Sequence, residues 1–426
     1  MKNMKFYLRD ASVVRVPDGN AWGYSGTERF SDSVYHYSTS YPKMLYIFAR
    51  ICYNFRKNFC CGRCCMENKT VVVGMSGGVD SSVAALLLQR QGYRVVGLFM
   101  RNWEESDASG VCTAEEDFAD VERVCGKLGI PYYTADFSRE YMERVFSHFL
   151  EEYRAGRTPN PDVLCNREIK FGPFKEYARS LGADLIATGH YCGISHEGGV
   201  HRLLKAADGG KDQTYFLNQL TQEQLTDVLF PLARLRKEEV RAIAQENGLA
   251  TARKKDSTGI CFIGERNFRK FLQNYLPAQP GRIETLSGET VGEHIGLMYY
   301  TLGQRRGLDL GGRAGEEGRW FVVRKDLARN VLVVSHGDEG PLYTDGCTVT
   351  GMNYIPCPPA SDEFSCRIKL RYRQAEQGAR AVRTGKDTLT LYFDEPQRAV
   401  TEGQYAVLYD ETQCLGGGVI TGAFRM

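Results

Sequence analysis

No run of about 18 apolar residues occurs in this chain of 426, and its most apolar stretch, residues 44–55, is interrupted by Arg50, so a membrane-spanning helix is excluded. Met1 is not followed by an apolar core and small cleavage-site residues, so no secretory leader is expected. A strong net charge is also missing: 54 Lys/Arg against 52 Asp/Glu leave a formal +2. A nucleic-acid partner would therefore be gripped by local basic patches, not by a global field. The cysteines, 14 in all, are too sparse and scattered for a disulfide framework. The expected compartment is a reducing cytoplasm, where single thiols do chemistry. Cys60-Cys61-Gly62-Arg63-Cys64-Cys65 offers half of a zinc knuckle, and no later pair of Cys or His completes it, so no protein-held metal site is expected. Residues 1–65 show no period, many Tyr and Ser, and ten Lys/Arg against four Asp/Glu. Met66, just ahead of a strong strand, is expected to be the natural start, with 1–65 an atypical extension, either disordered or upstream of the true start.

What is present is organised around Val71-Val72-Val73-Gly74-Met75-Ser76-Gly77-Gly78-Val79-Asp80-Ser81-Ser82, followed by an apolar helical run. A β-branched strand, a glycine-rich turn and a helix in immediate succession leave several backbone N–H groups aimed at one point, where the helix dipole adds positive potential. That point suits a phosphate. Gly77 and Gly78 admit close approach, and Ser76, Ser81 and Ser82 carry hydroxyl donors. A Walker loop is excluded, because that motif needs Gly-Lys-Ser/Thr and no lysine lies between Val71 and Ser82. A turn that uses glycines only for packing is the plainer alternative. Ser-Gly-Gly-Val-Asp-Ser-Ser resembles the pyrophosphate loop of ATP pyrophosphatases, in which Asp80 would serve the magnesium-bound pyrophosphate.

From residue 71 strand and helix alternate: strands at 71–75, 94–100, 132–136 and 184–188, helices at 79–91, 115–128, 139–154 and 167–181. This pattern predicts an α/β domain with a parallel sheet covered on both faces, and ligands at the carboxyl ends of its strands. Gly74, Met100 and Gly189 fall at such ends. Helical stretches follow at 230–248 and 268–276. After Pro280 short strands punctuated by glycine predict a small central β-containing domain and then a C-terminal β-barrel. The expected domains are 66–268, 269–340 and 341–426.

Three stretches carry further chemistry. Thr158-Pro159-Asn160-Pro161-Asp162-Val163-Leu164-Cys165-Asn166-Arg167 holds a proline-stiffened turn, with Cys165 just before a helix predicted to start near Arg167, where the dipole would favour the thiolate. Cys261 follows Lys254-Lys255-Asp256-Ser257-Thr258-Gly259-Ile260, whose cations would do the same. Either thiol alone reads as an inert core residue; two in charged loops of one ATP-using chain read as a pair. Gly210-Lys211-Asp212-Gln213 alone reads as a solvated turn.

Taken together, residues 69–426 resemble the bacterial tRNA-specific 2-thiouridylase family. The matching blocks are the glycine loop, Asn160-Pro161-Asp162 with Cys165, Thr188-Gly189-His190-Tyr191, Lys211-Asp212-Gln213, Cys261, Thr301-Leu302-Gly303-Gln304-Arg305-Arg306-Gly307, Arg371-Tyr372-Arg373-Gln374 and Cys414-Leu415-Gly416-Gly417-Gly418. Cys192-Gly193 and the 1–65 extension depart from the family pattern. The resemblance implies ATP-dependent conversion of the wobble uridine C2 oxygen to sulfur, with ATP and Mg2+ as cofactors, and tRNA and a sulfur donor, either a relay protein or a cysteine desulfurase, as partners. It assigns Gly74, Met75, Ser76, Gly77, Gly78, Val79, Asp80, Ser81, Met100 and Gly189 to ATP. Asn160, Pro161 and Asp162 fall to the target base, and Lys211, Asp212, Gln213, Arg371 and Tyr372 to tRNA. Cys261 would carry a persulfide and Cys165 would be its catalytic partner, joined to it transiently as a disulfide. Asp162 would be the acid/base or an orienting group. Arg305, Arg306 and Arg373 would add phosphate contacts.

Two other classes remain in play. A GMP synthetase-like ATP pyrophosphatase shares the loop but would need a glutaminase domain or an ammonia channel, for which 269–426 has no room. A non-catalytic RNA-binding protein would leave the loop and paired cysteines without a use.

Overall fold

The computed structural model describes residues 69–103, 113–256, 268–311 and 318–426. Cys261, the 1–65 extension and its cysteine cluster lie outside the described residues.

Strands β1 (Thr70–Met75), β2 (Arg94–Arg101), β3 (Tyr132–Asp136) and β4 (Leu185–Ala187) are followed by a hairpin, β5 (Gly193–Glu197) and β6 (Val200–Leu204), and by the short β7 (Val228–Leu229). The first sheet is parallel, in the order β3-β2-β1-β4-β7. Its central strand is apolar on both faces because both are covered. Val71 and Val73 point into one core, with Val83, Ala84, Leu88, Val121 and Val240, while Val72 points into the other, with Leu98, Phe146, Phe149 and Phe174. Chain order reverses between β1 and β4, and at such a switch the strand ends open into a crevice. The glycine loop leaves β1 there and Thr188-Gly189-His190 leaves β4.

Two predicted helices differ in extent. The predicted helix at 167–181 begins earlier, as Pro161–Cys165, runs on through a π-type turn, Asn166–Lys170, and restarts at Pro173–Ser180. Pro161 sits in the first turn, where its missing N–H costs nothing, and Pro173 opens the second segment the same way. The helix expected at 230–248 spans only Lys237–Glu246. Phe230 precedes Pro231, and the residue before a proline is pushed away from helical angles.

Strands β8 (Gly281–Thr285), β9 (Thr290–His294), β10 (Trp320–Asp326) and β11 (Val331–His336) form the central sheet, in the order β10-β11-β8-β9. Ile283, Val322, Leu332 and Val334 share one apolar cluster with Phe146, Phe149 and Phe271, so this domain has no core separate from that of the α/β domain. The half-buried Lys325 donates from Nζ to the Gly156 carbonyl at 2.9 Å across the same seam.

Strands β12 (Tyr343–Tyr354), β13 (Glu363–Lys369), β14 (Gln377–Arg383), β15 (Leu389–Arg398), β16 (Tyr405–Tyr409) and β17 (Gln413–Phe424) close an antiparallel six-stranded barrel, β17 returning to β12. The glycine run on β17 has a steric cause. A Cβ at Gly416 would lie 1.9 Å from the Asn353 carbonyl oxygen, and one at Gly417 would lie 2.6 Å from Asn218 Oδ1. The β5–β6 hairpin of the α/β domain pairs with the start of β17, Leu204 with Gln413 and Leu203 with Cys414.

Candidate functional site

The loop after β1 has the conformation its glycines permit. Gly77 adopts φ +71°, and a Cβ there would come within 2.4 Å of the Asp117 carbonyl oxygen. Gly78 caps the helix Val79–Arg90 without any side-chain bond, so the first-turn N–H groups of a 12-residue helix face the crevice uncapped. Ser82 Oγ donates to the Gly78 carbonyl at 2.8 Å and receives a bond from Thr251 Oγ1 at 3.0 Å, while Ser81 Oγ accepts the Ser76 N–H at 3.2 Å. Met75 and Val79 turn their side chains into the core, leaving only backbone to face a ligand. Across the crevice Gly189 lies so close to the helix start that a Cβ would stand 2.8 Å from Ser81 N. Met100, at the end of β2, is partly buried against the core cluster. Ser81 Oγ also donates to the Gly78 carbonyl at 3.2 Å, so the buried Ser81 and Ser82 hydroxyls are turned to the backbone and Ser76 is the exposed one. The backbone donors, with Ser76 and the Asp80 carboxylate beside them, are groups that could hold a polyphosphate and a metal ion.

Asp80 is gripped by Lys237, whose Nζ lies 2.7 Å and 2.8 Å from its two carboxylate oxygens, and by the Tyr191 hydroxyl at 2.8 Å. Lys237 also pairs with Asp256 at 2.9 Å, and Asp256 takes Lys211 at 2.8 Å and Arg241 at 2.6 Å. Burial alone would raise the Asp256 carboxyl; the Lys211 and Lys237 bonds hold it down to about 2. Burial, with the Asp80 charge beside it, pushes the Tyr191 phenol up, so it stays a donor.

Sequence reasoning missed Lys237 because a helix expected over 230–248 puts Arg-Lys-Glu-Glu within it, where the four charges read as a solvated face. One signal was available: a lysine at the first position of a helix opposes the dipole and calls for a carboxylate partner.

The turn expected to meet the base is fixed by the barrel. Thr158 N donates to the Glu402 carbonyl at 2.9 Å, and Gln404 Nε2 donates to the Thr158 carbonyl at 2.7 Å. Asn160 is the N-cap of the helix that Pro161 opens and Asp162 follows in its first turn. Burial raises the Asp162 carboxyl, with Lys170 acting in the opposite direction. Cys165 is 2 % exposed and sits inside a continuous helical run, four residues after its start, not ahead of it. The helix-dipole argument for its thiolate is therefore corrected, since the positive end lies at Pro161. Nearby, His190 is buried, in contact with Thr188 Oγ1 through Nδ1 at 2.7 Å, and burial holds its pKa well below the usual imidazole value.

Lys254 departs from expectation too. Its Nζ bonds Asp117 and Asp120, each at 2.6 Å, so its charge is committed there and not to a neighbouring thiol.

Of the residues expected on tRNA, several are turned inward. Asp212 is 5 % exposed, with its carboxylate accepting from Ala206 N at 2.6 Å and from the Thr214 hydroxyl and amide, and burial raises its pKa. Gln213 ties Tyr191 through its side chain at 2.9 Å. Arg371 Nη2 donates to the Ala399 carbonyl at 2.5 Å and to Thr401 Oγ1 at 3.1 Å, inside the barrel rim. Tyr372 packs against Phe216 with ring centroids 4.4 Å apart. Yet the fold brings two blocks 160 positions apart in sequence to one groove of about 660 Å³, where Lys211 meets Lys369, Tyr372 and Arg373. Arg305 and Arg306 are exposed on the central domain.

Family profiles described as tRNA methyl transferase HUP domain, tRNA methyl transferase PRC-barrel domain and Aminomethyltransferase beta-barrel domain match residues 69–265, 269–336 and 344–420. The chain is 59% identical over 355 residues to the tRNA-specific 2-thiouridylase MnmA of Shouchella clausii, covering 83% of this chain and 97% of that one. It is 57% identical over 355 residues to the protein of the same name from Alkaliphilus oremlandii, with the same coverage of both. Against that of Bacillus subtilis it is 56% identical over 361 residues, covering 84% and 96%.

Proposed function

The chain belongs to the tRNA-specific 2-thiouridylase family, and from that premise we propose that it replaces the C2 oxygen of the wobble uridine of tRNA by sulfur at the expense of ATP. The observation that carries the reading is the uncapped helix start and glycine loop at the β1/β4 switch, with Asp80 held beside it. Methyl transfer, the term in two profile descriptions, would leave that loop unused.

A uracil C2 oxygen is a leaving group only once it is phosphorylated. The uridine gives up its N3 proton, C2 oxygen attacks the α-phosphorus, and the bond to pyrophosphate breaks with its electron pair leaving on pyrophosphate. Backbone donors of the loop stabilise that charge, and Mg2+ on Asp80 would neutralise more of it. A carboxyl raised by burial, as at Asp162, suits the residue that takes or orients the N3 proton near neutral pH. The terminal sulfur of a persulfide on Cys261 then attacks C2, and AMP departs with the original oxygen. Cys165 thiolate attacks the Cys261 sulfur, the S–S bond breaks, the terminal sulfur stays on C2, and a Cys165–Cys261 disulfide remains for a cellular thiol to reduce. In the second route Cys165 frees hydrosulfide first, which attacks C2 by itself.

An anticodon-loop base is single-stranded and can be splayed into such a site cheaply. The groove of Lys211, Lys369, Tyr372 and Arg373 is the surface that would take tRNA phosphates. A sulfur-relay protein or a cysteine desulfurase would load Cys261, and the cytoplasm is where those partners and tRNA meet. The test is production of AMP and pyrophosphate that depends on added tRNA, with xanthosine monophosphate in parallel. Turnover on the nucleotide without tRNA would replace this reading with a GMP synthetase-like one.

A further inference from the structure

We propose that Lys237 is a phosphate ligand of the nucleotide site, resting on Asp80 until the polyphosphate arrives. This rests on the ATP reading above. Lys237 is 8% exposed and stands at the first position of its helix, where the dipole works against a cation. Its position is explained by the two carboxylates it bridges, Asp80 at 2.7 Å and Asp256 at 2.9 Å. Asp80 is the second residue of the helix whose uncapped N–H groups face the crevice, so an anion bound there lies within a side-chain swing of Nζ.

The exchange strands no charge. When Lys237 turns to a phosphate oxygen, Asp256 keeps Lys211 and Arg241, and Asp80 keeps the Tyr191 hydroxyl and becomes available to a metal ion. The Asp208 carboxylate, the other acid at this helix start, is occupied by the Lys237 and Gly210 backbone N–H groups and does not compete for Nζ. Lys237 would thus donate hydrogen bonds to the departing pyrophosphate without transferring its proton.

The experiment measures binding of inorganic pyrophosphate to the full chain by calorimetry, with EDTA present so that no metal occupies Asp80. Asp80→Asn releases Lys237 from one of its two carboxylates and removes a repelling charge, and should tighten binding about tenfold. Asp80→Asn/Lys237→Met should lose that gain and return to wild-type affinity or weaker. In the presence of Mg2+, Lys237→Met alone should slow tRNA-dependent pyrophosphate release by about 100-fold, as loss of a charge-stabilising donor does, with tRNA affinity unchanged. Lys237→Gln takes the place of the methionine variant if thermal melting shows the latter misfolded. A double variant that keeps the tenfold gain would overturn the role of Lys237 alone. No pyrophosphate binding by any variant, with or without Mg2+, would remove the nucleotide reading along with it.

Discussion

At Asp256 three cations converge on one carboxylate, and the acid limb of stability should report it. Its folded value, about 2, lies below the ordinary 3.8, so the stabilisation is fully present above the unfolded value and is lost as pH falls through the folded one. Asp256→Asn should therefore flatten the loss of stability between about pH 4 and 2, by about 1 kcal/mol after allowance for solvent screening, as measured by urea unfolding across that range. The cysteines are tested separately. Cys165→Ser should accept radiolabelled sulfur from a desulfurase and yield no thiolated tRNA, and only wild type after turnover should show a Cys165–Cys261 disulfide on non-reducing gels. Normal thiolation by Cys165→Ser would return that residue to the core in which it is buried. What sequence could tell at this scale depended on distance along the chain. The loop was legible because strand, glycines and helix are adjacent, whereas the partners Asp80 and Lys237 are separated by 157 positions. Asp212 hid even from near neighbours: a charged residue between Lys211 and Gln213 looks solvated, and the donors that surround it, Ala206 N and Thr214 N, are placed by the folded turn.

Strands and helices differ in how plainly they announce themselves. Strands β1 to β4 of the α/β domain were found because short runs rich in apolar and β-branched or aromatic residues alternate there with helical stretches, whereas the two-residue β7 was not. The hairpin β5–β6 and strands β9, β14 and β17 were missed too, since stretches such as Gly-Ile-Ser-His-Glu, Gln-Gly-Ala-Arg-Ala-Val-Arg and the glycine run of β17 carry too little apolar alternation to stand apart from loop. The helix at Pro161 was placed too late because prolines were read as keeping the turn extended, when the first turn of a helix is where proline fits. The glycines of β17 give this scale its prediction. Gly417→Ala places a methyl group 2.6 Å from Asn218 Oδ1 and 2.7 Å from the Ala406 carbonyl oxygen, so backbone has to yield. A loss of about 1–3 kcal/mol is expected, seen as a lower melting temperature. Gly422→Ala, on the same strand with open space, should leave the melt unchanged.

Across the whole molecule the domains are joined by shared cores and by buried polar groups. Burial lowers Lys325 to about 8 from 10.5, so unfolding takes up a proton between those values and wild-type stability rises with pH over that window. Lys325→Met should accordingly stabilise the protein most below about pH 8 and progressively less toward 10.5, by about 1–3 kcal/mol at its largest. Differential melting across pH checks the sign. On the groove, Arg373→Ala should reduce the slope of log tRNA affinity against log salt by about 0.7–0.9. Arg371→Ala should instead lower the melting temperature, because its guanidinium is spent on Ala399 and Thr401.

The pairing of Leu203 and Leu204 with Cys414 and Gln413 has a consequence for synthesis. A chain emerging from the ribosome makes the nucleotide domain first, but one edge of its hairpin and the apolar face around Tyr215 wait for Tyr405 and for the final strand. Translation that stops short of residue 413 would leave that edge open, marking the incomplete product for aggregation or proteolysis before it could spend ATP.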